Sequence, residues 1–325
     1  MPRIAVIGAG AWGTALAVQA ARAGHDVALW ARYPARAAAM QAARENALHL
    51  PGTSLPPAIA VTADPARLGG AAFALLAVPT QHLRALLGRL PEALPPLILA
   101  AKGVEQGSLL LPLELVEALR PAHPSAILSG PNFAHEVAAG LPTAAVLASR
   151  DPDLREMVAD HLATPGFRLY GSEDPIGVQV GGAAKNVIAI AAGAVIGAGL
   201  GENARAALIT RGLAELSRLV VALGGRAETA AGLSGLGDLL LTATGPSSRN
   251  TALGLALGRG LSLAEALAGK TSVAEGAATA PALLARAGSA GVELPICAAV
   301  TALLAGEATV AEAMAQLLAR PRRDE

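Results

Sequence analysis

The sequence predicts a Rossmann-type α/β fold, a doubly wound and mostly parallel sheet, followed by an all-α C-terminal domain. Three features of the chain carry that prediction. Short apolar runs alternate with stretches of helical apolar spacing through the first half, as in a parallel sheet covered on both faces. A glycine-rich turn stands between the first run and the first helical stretch. Beyond Asp174-Pro175 the strand-like runs stop, and helical stretches joined by Gly-rich turns fill the remainder.

The elements follow in order. Ile4–Ile7 and Val27–Trp30 are near-continuous apolar runs, as expected of strands buried on both sides, and 14–23 between them has helical spacing. Ile59–Thr62, 72–78, 97–101, 126–129, Thr143–Ala148 and 167–170 read as further strands, and 82–90, 109–119 and Pro152–Leu162 as helices. The spacing then predicts helices over 176–198, 204–222, 227–231, 235–243, 250–259, 262–268, 274–287, Pro295–Ala305 and 309–318. The change of character gives domains 1–175 and 176–325, each long enough for its own core.

Composition narrows the function classes. With 53% hydrophobic but 2% aromatic residues, the cores must be built from Ala, Leu, Val and Ile around close backbone contacts. A formal net charge of zero argues against a nucleic-acid binder or a binder of anionic membranes. The apolar run 176–200 carries Gln179, Lys185, Asn186 and several glycines, so a buried core helix is expected rather than a span. The single cysteine, Cys297, lies in an apolar run and reads as buried filler, in keeping with a reducing, cytoplasmic setting. The chain opens on its first strand with no signal peptide pattern. No metal is expected.

Gly8-Ala9-Gly10-Ala11-Trp12-Gly13 follows the first strand and opens a helix, the context that a dinucleotide fingerprint demands. Gly8 permits the tight turn, Gly10 lets the backbone approach a pyrophosphate, and Gly13 lets helix and strand pack closely. At the end of the second strand an acid would meet a ribose 2′-hydroxyl. The chain instead has Ala31-Arg32-Tyr33, with Asp26 at the strand's other end. Arg32 suits a 2′-phosphate and Tyr33 an adenine flank, so the reading favours NADP(H) and leaves NAD(H) open; the bland alternative for Arg32 is a solvated loop arginine. Lys102 and Ser129-Gly130-Pro131-Asn132-Phe133 fall at carboxyl ends of strands, where ligands of open α/β sheets collect.

Only three of the 25 Lys and Arg residues are lysines. A lysine that arginine cannot replace is one that exchanges a proton. Lys185 sits in the almost wholly apolar Gly-Gly-Ala-Ala-Lys-Asn-Val-Ile-Ala-Ile and suits that chemistry, whereas Lys270, in a Gly-Lys-Thr-Ser turn, reads as a surface residue. Polar groups also gather in Asn203-Ala-Arg205 through Thr210-Arg211, and in Gly-Leu-Gly-Asp238-Leu-Leu-Leu-Thr242, where Asp238 and Thr242 share a helix face. Ser248-Arg249-Asn250 enters a helix with donors suited to an anion, and Ser248 and Asn250 equally suit helix caps.

With these segments in this order, from Ile4 to about Leu318, the chain resembles the bacterial NAD(P)-dependent sn-glycerol-3-phosphate dehydrogenases. The most specific pieces are Ala-Lys102-Gly, Ser-Gly-Pro-Asn-Phe-Ala-His-Glu, the segment around Lys185-Asn186, Asn-Ala-Arg-Ala-Ala-Leu-Ile-Thr-Arg-Gly and Gly-Leu-Gly-Asp-Leu. The resemblance implies reversible conversion of dihydroxyacetone phosphate and sn-glycerol 3-phosphate, a phospholipid precursor. It implies Lys185 as proton donor or acceptor and Lys102 in contact with substrate and cofactor. It implies Gly130, Asn132, Asp238, Ser248, Arg249 and Asn250 around the substrate. Ala11, Trp12, Arg32, Tyr33, Ala134, Val273 and Glu275, with Arg249, match cofactor positions. Asn132 stands where many relatives have Thr, and Ala274 lies in a segment often Val-Val-Glu-Gly.

Two rivals stay in view. The β-hydroxyacid dehydrogenases also join a Rossmann half to a helical half, but typically place Asn four residues after their lysine, where this chain has Ala189. A catalytically silent dinucleotide sensor would be expected to have lost the lysine. The apolar helical half leads to the expectation of a homodimer, with a small-molecule substrate bound in a cleft between the two halves.

Overall fold

The structure is a computed structural model that describes residues 2–245, 247–268 and 274–321. The first elements are β1 (Ile4–Ile7), α1 (Ala11–Arg22), β2 (Val27–Trp30), α2 (Pro34–Ala43), β3 (Glu45–Asn46), β4 (Leu50–Ser54) and β5 (Ile59–Thr62). There follow β6 (Ala74–Leu76), α3 (Thr80–Leu87), β7 (Leu97–Leu99), α4 (Pro112–Leu119) and β8 (Ser125–Ser129). Next come α5 (Ala134–Ala139), β9 (Thr143–Ala148), α6 (Pro152–Leu162) and β10 (Phe167–Ser172).

Eight strands form one sheet in the order β10-β9-β8-β7-β6-β1-β2-β5. The pairs from β5 to β8 are parallel, β9 and β10 are parallel to each other, and β8 meets β9 antiparallel. The order reverses between β1 and β6, so the Gly-rich turn after β1 lies at a topological switch point, where such sheets bind ligands. Ile4, Val6, Leu29, Leu75, Ile98 and Leu128 share one core with residues of α1, α2, α5 and α6, while Leu76, Leu99 and Ile127 are also fully buried. Burial on both faces explains why these strands read as continuous apolar runs.

The structure adds elements that the spacing does not predict. Helix α2 buries only Ala37 and Met40, so it has almost no apolar stripe to read. Helix α5 is six residues long and ends on Gly140 in the left-handed region. The β3–β4 pair contains Pro51 and Gly52, residues depleted in strands. The run 72–78 shortens to β6, and at its carboxyl end Pro79, with no N–H for a ladder, turns the chain into α3.

The helical elements are α7 (Pro175–Gly197), α8 (Gly201–Ala222), α9 (Ala227–Ala230), a π-helical turn over Leu233–Gly237, α10 (Asp238–Thr244) and α11 (Arg249–Gly258). They end with α12 (Leu263–Leu267), α13 (Glu275–Ser289), α14 (Pro295–Ala305) and α15 (Val310–Leu318). The chain divides into two compact units, one from the N-terminus to Lys102 plus Leu111–Val178, the other Gly103–Leu110 plus everything from Gln179 on. Among the described residues, α7 is the one helix long and apolar enough to cross a membrane, and 89% of its most apolar window is buried inside the protein.

Small residues set the helix packing of the second unit. A Cβ at Gly193 or Gly197 of α7 would overlap the carbonyl oxygens of Thr251 and Leu255 in α11. A Cβ at Gly254 or Gly258 of α11 would overlap those of Ile190 and Ala194. The two helices therefore meet backbone to backbone along a four-glycine seam. Elsewhere the buried Glu215 of α8 accepts the N–H groups of Ile296 (2.7 Å) and Cys297 (3.4 Å), first-turn donors of α14 that have no partner within that helix. Burial pushes the Glu215 carboxyl up despite those bonds, and burial, with Glu215 beside it, pushes the Cys297 thiol well up.

Candidate active site

In the first unit the Gly-rich turn is built as its residue types require. Gly8 has φ +110°, and a Cβ there would lie 2.5 Å from the carbonyl oxygen of Ala77. A Cβ on Gly13 would overlap the Gly8 carbonyl, so α1 can start this close to β1 only with glycine at both positions. The space beside Gly10 is open, with nothing within 4 Å of a Cβ placed there. Gly10 is the N-cap of α1 and makes no side-chain bond to it, so the first-turn N–H groups of Ala11, Trp12 and Gly13 are available to an anion. The turn therefore fits a dinucleotide pyrophosphate.

Arg32 and Tyr33 follow β2 as an exposed pair: the guanidinium lies over the phenol ring, 4.5 Å from its centre, and hydrogen-bonds the Tyr33 hydroxyl. Lys102 follows β7, and its Nζ donates to the Gly130 carbonyl at 3.2 Å. Gly130 follows β8 with φ +132°, and a Cβ there would press on Ala145 Cα at 3.1 Å. Asn132 donates through Nδ2 to Ala144 O at 2.9 Å, which leaves its Oδ1 buried with no partner among the described residues. Ser129 Oγ is likewise buried and has no partner among the described residues. Ala134 opens α5.

In the second unit the close approach of two backbones sets the chemistry. A Cβ on Gly181 of α7 would lie 2.9 Å from Ser234 O, so glycine there lets the π-helical turn sit against α7. Lys185 is one turn further along the same face, and Asp238, at the start of α10, comes up beside it. Lys185 is 7% exposed; its Nζ donates to Asp238 Oδ1 at 2.9 Å and to Thr242 Oγ1 at 2.7 Å. The Thr242 hydroxyl in turn donates to Asp238 Oδ1 at 3.3 Å. A buried cation is tolerable only with such partners.

Ser248 is the N-cap of α11, its Oγ accepting from Thr251 N at 3.2 Å, so the cap reading of this residue holds. Arg249 opens α11 exposed, and its guanidinium has no protein partner among the described residues. Asn250 is buried, donates to Asn186 Oδ1 at 2.8 Å and accepts from Gly276 N at 3.0 Å. Glu275 opens α13 half-buried. Val273 and Lys270 lie outside the described residues.

The second unit thus gathers Lys185, Asp238 and Thr242 into one cluster and ties Asn186 to Asn250, beside Arg249. Thr242 is the member that sequence reasoning left without a role, although its four-residue spacing from Asp238 pointed to it. Among the described residues no group of three or more His, Cys, Asp or Glu is placed to hold a metal ion.

Comparison with known proteins agrees along the chain. The family model for the NAD-dependent glycerol-3-phosphate dehydrogenase N-terminus matches residues 3–155, and that for the C-terminus matches 174–315. The chain is 59% identical to the glycerol-3-phosphate dehydrogenase [NAD(P)+] of Acidiphilium cryptum, covering 100% of this chain and 98% of that one. It is 55% identical to the protein of the same name from Caulobacter vibrioides, covering 99% and 98%. The crystal structure of glycerol-3-phosphate dehydrogenase from Coxiella burnetii superposes with a TM-score of 0.94 at 40% identity, covering 98% of this chain and 99% of that one.

Proposed function

The chain belongs to the NAD-dependent glycerol-3-phosphate dehydrogenase family, and from that premise we propose how its residues perform the reaction. The protein is an oxidoreductase that interconverts dihydroxyacetone phosphate and sn-glycerol 3-phosphate with NAD(P). When bound, the reduced nicotinamide supplies the hydride that the substrate's carbonyl carbon receives. Lys185 gives the matching proton to the carbonyl oxygen, and its positive charge stabilises the alkoxide as it develops. In the reverse direction Lys185 takes the hydroxyl proton. Asp238 and Thr242 hold the Lys185 nitrogen in place inside an apolar helix. Arg249 and Asn250, in the first turn of α11, grip the substrate phosphate, with Ser248 capping the helix beneath them. Lys102, Gly130 and Asn132 complete the substrate contacts.

The cofactor reading rests on the turn from Gly8 through Gly10, Ala11 and Trp12 to Gly13. It extends to Arg32, Tyr33, Lys102, Ala134, Arg249, Val273 and Glu275. An exposed arginine where an acid would select NAD supports a preference for NADP(H). Leu200, Val221 and Leu240 of the helical unit are exposed, which supports a homodimer; light scattering on the purified protein tests it. The neutral net charge and the burial of α7 support a cytoplasmic enzyme.

One observation carries the mechanism: a lysine nitrogen buried in an apolar helix, 2.9 Å from a carboxylate and 2.7 Å from a hydroxyl. Lys185→Arg tests it by following NADPH oxidation with dihydroxyacetone phosphate. Arginine keeps the charge but does not exchange a proton at working pH, so turnover should fall by about a hundredfold or more. Near-normal turnover would remove Lys185 from the acid–base role.

A further inference from the structure

Helix α13 starts without a cap of its own, since its N-cap residue Ala274 makes no side-chain bond to it. The N–H of Gly276, second residue of the helix, is therefore an orphan donor. It is satisfied from another helix, by Asn250 Oδ1 at 3.0 Å. A backbone N–H only donates, so the Asn250 atom that meets it must be the oxygen. The Asn250 amide nitrogen then faces Asn186, and the Asn186 atom that receives it at 2.8 Å must again be the oxygen. The sense of both amides follows from one main-chain donor. What remains is the Asn186 Nδ2 group and the second hydrogen of Asn250 Nδ2, neither with a protein partner among the described residues.

We infer that Gly276 is a positioning residue whose N–H polarises this chain, so that Asn250 and Asn186 offer only donors to the oxygens of the substrate. Donors alone are the right complement to a phosphate and to a carbonyl oxygen gaining negative charge. With the chain reversed, an amide oxygen would face those oxygens and repel them. Glycine is required as well as its N–H. A Cβ at 276 would lie 2.7 Å from Asn186 O and 2.8 Å from Asn250 Oδ1, and the first of these is backbone of the helix that carries Lys185. Gly276 acts through Asn250, so the inference rests on the reading that Asn250 grips the substrate.

The test is a double-mutant cycle on Gly276→Ala and Asn250→Ala, reading KM for dihydroxyacetone phosphate and, by fluorescence, Kd for NADPH. Asn250→Ala alone should raise KM by about tenfold or more. Gly276→Ala should do the same with Kd for NADPH nearly unchanged. The double variant should be no worse than about twice the poorer single variant, because both act on one contact. Single effects that multiply in the double variant overturn the inference, as does a Gly276→Ala enzyme with the native KM. An Asn250→Ala enzyme with the native KM sinks the substrate reading instead. Hydrogen exchange then decides the inference separately, and also does so if Gly276→Ala does not fold. The Gly276 amide should lose about tenfold or more of its protection in Asn250→Ala, while interior amides of α13 such as Leu283 keep theirs. Unchanged protection at Gly276 overturns it.

Discussion

Thr242→Val removes a single hydroxyl from the cluster around Lys185. Valine keeps the branched shape at a buried position, so α10 should hold its place against α7. Two bonds go: the 2.7 Å bond from Lys185 Nζ and the 3.3 Å bond to Asp238 Oδ1. The backbone carbonyl of Thr242, which receives the Thr251 hydroxyl, is untouched. A hydrogen bond to a charged group contributes about 1.5–3 kcal/mol. If the hydroxyl aims the ammonium in the transition state, that energy is lost from the barrier, at about 1.4 kcal/mol per factor of ten. The rate constant kcat should therefore fall about ten- to a hundredfold. The proposed phosphate grip lies on α11, so KM for dihydroxyacetone phosphate should move by less than about threefold. The assay is steady-state NADPH oxidation, with a thermal melt to show that the variant is folded. A folded variant with native kcat would refute the view that Thr242 positions Lys185. A variant whose KM alone rises would place the hydroxyl on the substrate instead.

Arg249→Ala should raise KM for dihydroxyacetone phosphate about ten- to a hundredfold through loss of charge-assisted bonds; because the side chain is exposed, the melting temperature should hold, and an unchanged KM would show the phosphate is held elsewhere. Arg32→Ala should weaken NADP(H) more than NAD(H) in titrations of the free enzyme, and equal losses would dispose of the 2′-phosphate contact. Burial raises the Glu215 carboxyl above its unfolded value, so the folded state binds that proton more tightly and the group's stabilising effect is lost as pH rises from the unfolded value through the raised folded one. Glu215→Gln has no such proton, so its melting temperature relative to the native protein should climb across that window; a difference that stays flat with pH would refute this.

Large parts of the molecule could be read ahead of the coordinates, for identifiable reasons. Strands β1 and β2 have the bounds that the apolar runs predict, because burial on both faces leaves no polar residue to blur them, and the edge strand β5 has its predicted bounds with only alternate residues buried. Helix α7 was legible as a core helix because its few polar residues could not face lipid. Helix α2 was not, since alanines carry little periodic signal where only Ala37 and Met40 are buried. In the site, residue types at local spacing were visible: the Gly8–Gly13 turn, Asp238 with Thr242, Ser248-Arg249-Asn250. The ties between distant segments were not. Asn250 meets Asn186 across 64 residues and Gly276 across 26, and nothing in local spacing encodes which helices touch. The glycines that permit those meetings fall inside the predicted helices, and composition told only that close backbone contacts exist, not which helices share them.

The glycine seam bears on how the enzyme keeps its measure. Lys185 rides on α7 and Arg249 on α11, and along the four-glycine seam those helices meet through backbone atoms rather than side chains. The span from Lys185 to the phosphate grip proposed at Arg249 is a length written in peptide units, which are planar and fixed in dimension. Neighbouring Ala, Val and Leu residues can drift in type over generations, or jostle on warming, without resetting that span. One methyl group added at Gly193 or Gly254 would lengthen it at once, and under the proposed mechanism a phosphate gripped by Arg249 would draw the carbonyl away from Lys185.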